Sequence, residues 1–156
     1  MKQFFKITLL VIVVFLTAGQ FVRPSHVNPP IDPAKTLMAT AQVPDNVQSI
    51  LERSCNDCHS NKTVYPWYSN VAPISWWLAS HINDGRRNLN FSEWGTYAQK
   101  RKLRKLKEIC DQVKEDEMPI GSYLPMHPKA KLSGADKLAI CTWTAAETSR
   151  VSATSP

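Results

Sequence analysis

The spacing of apolar residues predicts one apolar N-terminal segment and four later helices. Residues 1–22 carry two lysines and then an almost unbroken apolar run. Four further segments repeat apolar positions at steps of three and four, and they are 46–53, 73–83, 93–114 and 134–148. No segment alternates apolar and polar residues in the way that a half-buried strand does. The pattern therefore predicts an all-α fold.

Turn and capping residues predict where these helices begin and end. Asp45 is expected to cap the first of the four, and Pro73 suits the first turn of the second, which Asp84-Gly85 should end. Ser92 is expected to cap the long helix 93–114. Ser133-Gly-Ala-Asp136 forms a capping box before the last helix. Residues 151–156 are expected to fray.

The N-terminal segment 1–22 has the properties of an export signal. Lys2 and Lys6 precede an apolar stretch of about 19 residues, close to the ~20 that a helix needs to cross a bilayer. The lysines favour a cytoplasmic N-terminus with the rest of the chain outside. We predict an uncleaved single-pass signal anchor. The alternative is a cleaved signal peptide, for which Thr17 and Gly19 provide small residues.

Prolines separate this segment from the remainder of the chain. Residues 23–43 contain four prolines and no helical period, which is typical of an extended tether. The folded domain is predicted to occupy residues 44–150. The full chain is 43% hydrophobic, which is ordinary for a globular protein and allows one modest core.

The charge of the chain does not suggest that it binds nucleic acid. The net charge is +6, and Lys2 and Lys6 in the leader account for part of it. No run combines basic residues with stacking aromatics, so we expect no nucleic-acid partner. The most basic segment, 100–107, is expected to be a solvated helix face. Docking to an acidic redox partner protein or to anionic lipid is the functional alternative.

The stretch Ser54-Cys-Asn-Asp-Cys-His-Ser60 is the strongest chemical signal in the sequence. Its Cys-x-x-Cys-His spacing suits zinc binding, thiol–disulfide exchange or covalent haem attachment. A structural zinc site needs a second pair of ligands, and the remaining Cys and His residues are isolated. A redox Cys-x-x-Cys belongs at a helix N-terminus in a βαβ unit, whereas this motif follows a predicted helix.

Haem attachment explains all three residues of the motif together. Cys55 and Cys58 would form thioethers with the porphyrin, and His59 would reach the iron from one side. Attachment of this kind takes place outside the bacterial cytoplasm, in agreement with the export signal. We therefore predict one covalently bound haem c.

The chain resembles a family of exported bacterial proteins known as the haem-binding domain family. Nine segments carry the resemblance: 20–24, 55–60, 65–68, 73–77, 81–86, 89–94, 117–119, 123–127 and 130–133. It implies a cytochrome c-like haem domain and favours an anchored N-terminus. It implies no particular reaction, since the family is named for its cofactor.

The second axial ligand of the iron is predicted to be Met118. Cytochrome c-like proteins often take a methionine from a loop after the haem motif, and Met118 is followed by a proline. The rival ligands are His127, His81 and Met126, and an open site is a further possibility.

For several other residues the sequence allows two interpretations. Trp67 and Trp76 are predicted to form part of the haem wall, with core packing as the alternative. Arg86 and Arg87 suit either haem propionates or a solvated loop. Cys110 and Cys141 are either a disulfide or two buried thiols.

Together these features predict a membrane-tethered electron carrier on the outer side of a bacterial inner membrane. The domain would lie in the periplasm and exchange electrons with a redox partner protein. A soluble periplasmic protein is the alternative if the N-terminal helix is cleaved. A peroxidase-like haem enzyme, or a haem-based sensor with an open sixth site, is the alternative function.

Overall fold

A computed structural model describes residues 1–153, and this part of the chain is helical without any strand. The all-α prediction is confirmed. The helices are α1 Lys2–Gly19, α2 Leu37–Thr40, α3 Asp45–Ser54, α4 Asn56–His59, α5 Ile74–Asn88, α6 Gln99–Lys114 and α7 Gly134–Ala153. Four short 3₁₀ turns lie at Pro33–Lys35, Trp67–Asn70, Trp94–Thr96 and Pro128–Ala130. Of residues 151–156, which were predicted to fray, 151–153 belong to α7 and Val151 is buried in the core, whereas 154–156 lie outside the described residues.

Helix α1 is exposed along its length and is the predicted apolar N-terminal helix. Its mean hydropathy is 1.7, and none of its residues is buried against the domain. A helix of this length and composition can cross a membrane, and a signal sequence has the same properties.

The hydrophobic core lies mainly between α3, α6 and α7. Its most buried side chains include Leu51 of α3, Leu106 of α6 and Ile140 of α7. A disulfide joins Cys110 to Cys141, with their Cα atoms 4.8 Å apart, and so links α6 to α7. Of the two alternatives for these cysteines, the bridge is the one that the structure contains.

The boundaries of α5 and α6 differ from the predicted ones. Helix α5 continues through Gly85 to Asn88, and α6 begins at Gln99 and not at residue 93. The hydroxyl of Ser92 does not cap a helix, because it accepts a hydrogen bond from the distant Asn61 amide at 3.0 Å. Trp94 is completely buried in the turn that replaces the first part of the predicted helix.

The predicted caps are correct at α7 and wrong at α3. Ser133 and Asp136 exchange the reciprocal hydrogen bonds of a capping box, at 2.8 and 3.1 Å. Asp45 lies inside the first turn of α3, and Pro44 occupies the N-cap position. An acidic residue in this turn still complements the positive end of the helix dipole.

Much of segment 23–43 packs on the domain, which differs from the extended tether predicted there. Leu37 is 1% exposed and belongs to the core. Its amide donates to the carbonyl of Phe91 at 2.7 Å. The carbonyl of Gln42 accepts from the indole of Trp143 at 3.0 Å. The folded unit therefore begins well before residue 44.

We expect the disulfide to contribute substantially to stability. Replacing both Cys110 and Cys141 with alanine should lower the free energy of unfolding by about 3–4 kcal/mol, because the bridge closes a 31-residue loop in the unfolded chain. Chemical denaturation monitored by tryptophan fluorescence measures this difference. An unchanged midpoint would show that the bridge contributes little.

Candidate haem site

A single turn of backbone places the residues of the Cys-x-x-Cys-His motif next to one another. The Cys55 amide donates to Leu51 at 2.9 Å and so ends α3. The amides of Cys58 and His59 then donate back to the carbonyl of Cys55, at 3.2 and 2.9 Å. As a result, Cys55, Cys58 and His59 line the same cleft, which α5 and residues 118–123 also border.

Helix α5 approaches this turn so closely that position 85 requires glycine. A Cβ atom at Gly85 would lie 2.6 Å from the carbonyl oxygen of Cys58 and 3.1 Å from its Cβ. The sequence interpretation, in which this glycine ends the helix, is therefore corrected. Gly85 lies within α5, and its role is to allow close packing against the motif.

The imidazole of His59 is held in one orientation by two backbone carbonyls, one within α5 and one directly after it. Its Nδ1 lies 3.2 Å from the oxygen of Gly85 and 3.1 Å from that of Leu89. Carbonyl oxygens only accept hydrogen bonds, so Nδ1 carries the proton. The other nitrogen, Nε2, therefore has a lone pair for a metal. This carbonyl–imidazole arrangement is the one that supports metal-ligating histidines.

Burial keeps the three motif side chains uncharged at neutral pH. Desolvation lowers the pKa of His59, although its two carbonyl partners act in the opposite direction. Burial raises the pKa of Cys55 to about 12 and that of Cys58 to about 11. A redox-active dithiol needs a lowered thiol pKa, so this environment is opposite to that of a thiol–disulfide exchange enzyme.

Two adjoining clefts of about 150 and 220 Å³ open beside the motif. Both are lined by Cys55, His59, Asn88 and Met118. The first extends towards α5 and the loop after Met118, and the second extends along α6. A flat cofactor held at Cys55 and His59 would therefore find space on both sides of the shared residues.

The residues predicted as possible second axial ligands differ in whether they line the clefts. Met118 lines both clefts, and His81 lines the first. The Nδ1 of His81 donates to the Trp77 carbonyl at 2.8 Å, so Nε2 is the ring nitrogen that could reach a ligand in the cleft. His127 lines neither of these clefts, because its Nε2 lies 2.6 Å from the Tyr68 hydroxyl.

Sequence reasoning missed a buried polar cluster on one side of the motif. The hydroxyl of Tyr123 donates to Asp57 at 2.6 Å, and its ring stacks on His127 at 3.9 Å. Burial and this hydrogen bond raise the pKa of Tyr123, so it stays a donor. Asp57 lies inside the motif, and Tyr123 closes the first cleft. A tyrosine in a loop gives no local signal of such a contact.

Lys105 is a second residue that the sequence did not indicate. It is 7% exposed and lines the second cleft, where its ammonium lies 2.5 Å from Glu108. The prediction that segment 100–107 is a solvated face is therefore wrong at this position. Lys105 points inward because it precedes Leu106 and lies one helical turn before Ile109, which are both in the core.

The two tryptophans predicted to form the haem wall lie away from both clefts. Trp67 is 73% exposed, and the indole of Trp76 donates to the carbonyl of Val22 at 2.6 Å. Of the two arginines, Arg86 is engaged by Ser60, Asn28 and Thr63, and Arg87 pairs with Asp84. These residues therefore do not form the wall or the anion site that the sequence suggested.

These features describe a helical domain with an oriented histidine and two thiols beside an open cleft. The model of the haem-binding domain family matches residues 13–146. The chain therefore belongs to the haem-binding domain family and is a haem-binding protein. No curated protein and no solved structure matches the chain.

The close approach at Gly85 is open to a direct test. Substituting Gly85→Ala should separate α5 from the motif, reduce haem incorporation and lower stability by about 1–3 kcal/mol through overpacking. Haem absorbance per protein and thermal unfolding measure both effects. Gly121→Ala is the matched control, because its added Cβ would meet nothing within 4 Å. Equal behaviour of the two variants would contradict the assigned role of Gly85.

Proposed function

We propose that this protein carries one covalently attached haem c, held by Cys55, Cys58 and His59. The observation that carries the proposal is the orientation of His59, whose Nδ1 is saturated by two carbonyls while Nε2 is left for iron. The neighbouring thiols are half-buried and form no disulfide in the structure. Haem supplies one-electron transfer when it is bound.

Met118 is the proposed second axial ligand. It lies in both clefts that adjoin His59, whereas His127 is engaged by two tyrosines elsewhere. A thioether ligand raises the reduction potential relative to a second imidazole. Lys105 is the proposed partner for a haem propionate, because its side chain is buried in the wall of the second cleft, where it also pairs with Glu108.

The proposed role is that of an electron carrier anchored to a membrane by α1. Helix α1 has the hydropathy and length for one span, and the lysines at its start favour a domain on the outer, periplasmic side. The residues of the site bind and orient the cofactor and exclude water from it. A redox partner protein would exchange electrons at the exposed side of the clefts.

A haem enzyme or sensor is the second candidate. The observation that favours it is His81, an imidazole on the wall of the first cleft that is a potential acid or base next to the iron site. The two candidates differ in whether Met118 occupies the sixth position.

Covalent attachment is tested on denatured protein. After expression with a cytochrome c maturation system, the full-length chain should keep its haem through denaturing electrophoresis and acid–acetone washing. The double variant Cys55→Ala, Cys58→Ala should lose it. The matched control is Cys110→Ala, Cys141→Ala, which removes two sulfurs from a different site and should stay coloured. A wild-type protein that becomes colourless would refute the proposal.

The sixth ligand is tested by absorption spectroscopy of the oxidised protein. Met118→Ala should abolish the weak near-red charge-transfer band of methionine-ligated haem and allow rapid binding of cyanide. Met126→Ala is the control, since this methionine is 54% exposed and lines neither cleft. If the wild-type protein lacks the band and binds cyanide rapidly, the enzyme or sensor is favoured over the carrier.

A further inference from the structure

We propose that an uncharged face of the domain lies in the headgroup region of the bilayer, so that the domain sits on the membrane surface. This membrane face consists of Val64, Trp67, Val71, Ile74 and Trp77. The inference rests on the proposed anchoring by α1. It goes further, because an anchor alone would leave the domain suspended in water at the end of a flexible chain.

The sequence of this region is unusual for a surface exposed to water. Residues 64–80 contain no charged side chain, although 21% of the chain is charged. The same stretch holds three of the five tryptophans. Tryptophan is enriched at membrane–water interfaces, where its ring is sheltered and its N–H remains hydrated.

Five apolar side chains of this stretch are exposed, whereas Tyr68, Ala72 and Leu78 of the same stretch are buried. Val64 and Trp67 are each 73% exposed, and Ile74 is 46% exposed. Val71 and Trp77 are also exposed. The 3₁₀ turn Trp67–Asn70 packs on α5, and Ile74 and Trp77 lie three positions apart on one face of that helix. A group of apolar side chains of this kind marks a surface that another medium or partner covers.

The end of α1 identifies lipid as that medium. The side chain of Gln20 exchanges two hydrogen bonds with the backbone of Ala72, at 3.0 and 3.1 Å. The indole of Trp76 donates to the carbonyl of Val22 at 2.6 Å. The end of α1 is therefore held by Ala72 and Trp76, which are sequence neighbours of Val71 and Trp77 of the membrane face. In an anchored protein, lipid is adjacent to this point.

The residues that follow α1 have side chains suited to the same depth. Phe21 and Val22 are exposed, and Arg23 comes directly after them. The Nε of Arg23 donates to the carbonyl of Gln20 at 3.2 Å, which keeps the guanidinium near the exit point. A cation there is attracted to lipid phosphates while the apolar residues contact the upper part of the acyl chains.

Depth measurements on the full-length haem-loaded protein in lipid nanodiscs test the proposal. One cysteine is introduced by Val64→Cys or Trp67→Cys and labelled with a nitroxide. Cys110 and Cys141 form a disulfide, and the haem thioethers occupy Cys55 and Cys58, so the parent protein serves as the unlabelled blank. The matched control is Leu138→Cys on α7, which is 69% exposed and lies outside the membrane face.

Labels at residues 64 and 67 should collide with dissolved oxygen more often than the label at 138. They should lose most of their collisions with a water-soluble nickel chelate. The proposal is overturned if all three labels are equally accessible to the chelate while the protein resists carbonate extraction, a result that leaves the anchor intact. Release of the protein by carbonate would overturn both the anchor and the membrane face.

Discussion

The contact between the Cys55–His59 turn and helix α5 is the constraint on which the candidate site depends. It combines a steric requirement, the missing Cβ at Gly85, with a polar one, the two carbonyls that accept from His59. The last carbonyls of a helix have no partner within the helix, and Leu89 directly follows α5. The imidazole therefore satisfies an acceptor that would otherwise need water, and that bond also sets its tautomer.

The rest of the fold supports this contact through a chain of backbone hydrogen bonds. The carbonyl of His59 accepts from the amide of Phe91, and the carbonyl of Phe91 accepts from the amide of Leu37, both at 2.7 Å. Leu37 and Phe91 are in the core with α3, α6 and α7. Segment 23–43 is thus part of the structure that holds the histidine in place, and its prolines reflect an extended path over the domain surface.

The sequence predicted the features that depend on local signals. The Cys-x-x-Cys-His motif, the apolar period of α3 and the capping box at Ser133 involve residues a few positions apart, and all appear in the structure. Features that depend on distant partners were missed. In sequence, Ser92 looks like a helix cap, but its hydroxyl accepts a hydrogen bond from the distant Asn61 amide. Lys105 looks like its basic neighbours in sequence, but in the structure it lines the second cleft.

Helix α5 connects the two proposed surfaces of the protein. Its first half carries Ile74 and Trp77 on the membrane face, and its end supplies the Gly85 and Leu89 carbonyls that orient His59. At 1.5 Å per residue, the two regions are about 15–20 Å apart along one rigid element. A domain on a free tether would present its haem in all directions. Here the hydrogen bonds of Gln20 and Trp76 and the packing of segment 23–43 would fix the height and the orientation of the cofactor above the bilayer. Such a geometry favours electron exchange with a partner that lies in the same membrane, since both proteins would meet by diffusing in two dimensions at a constant height.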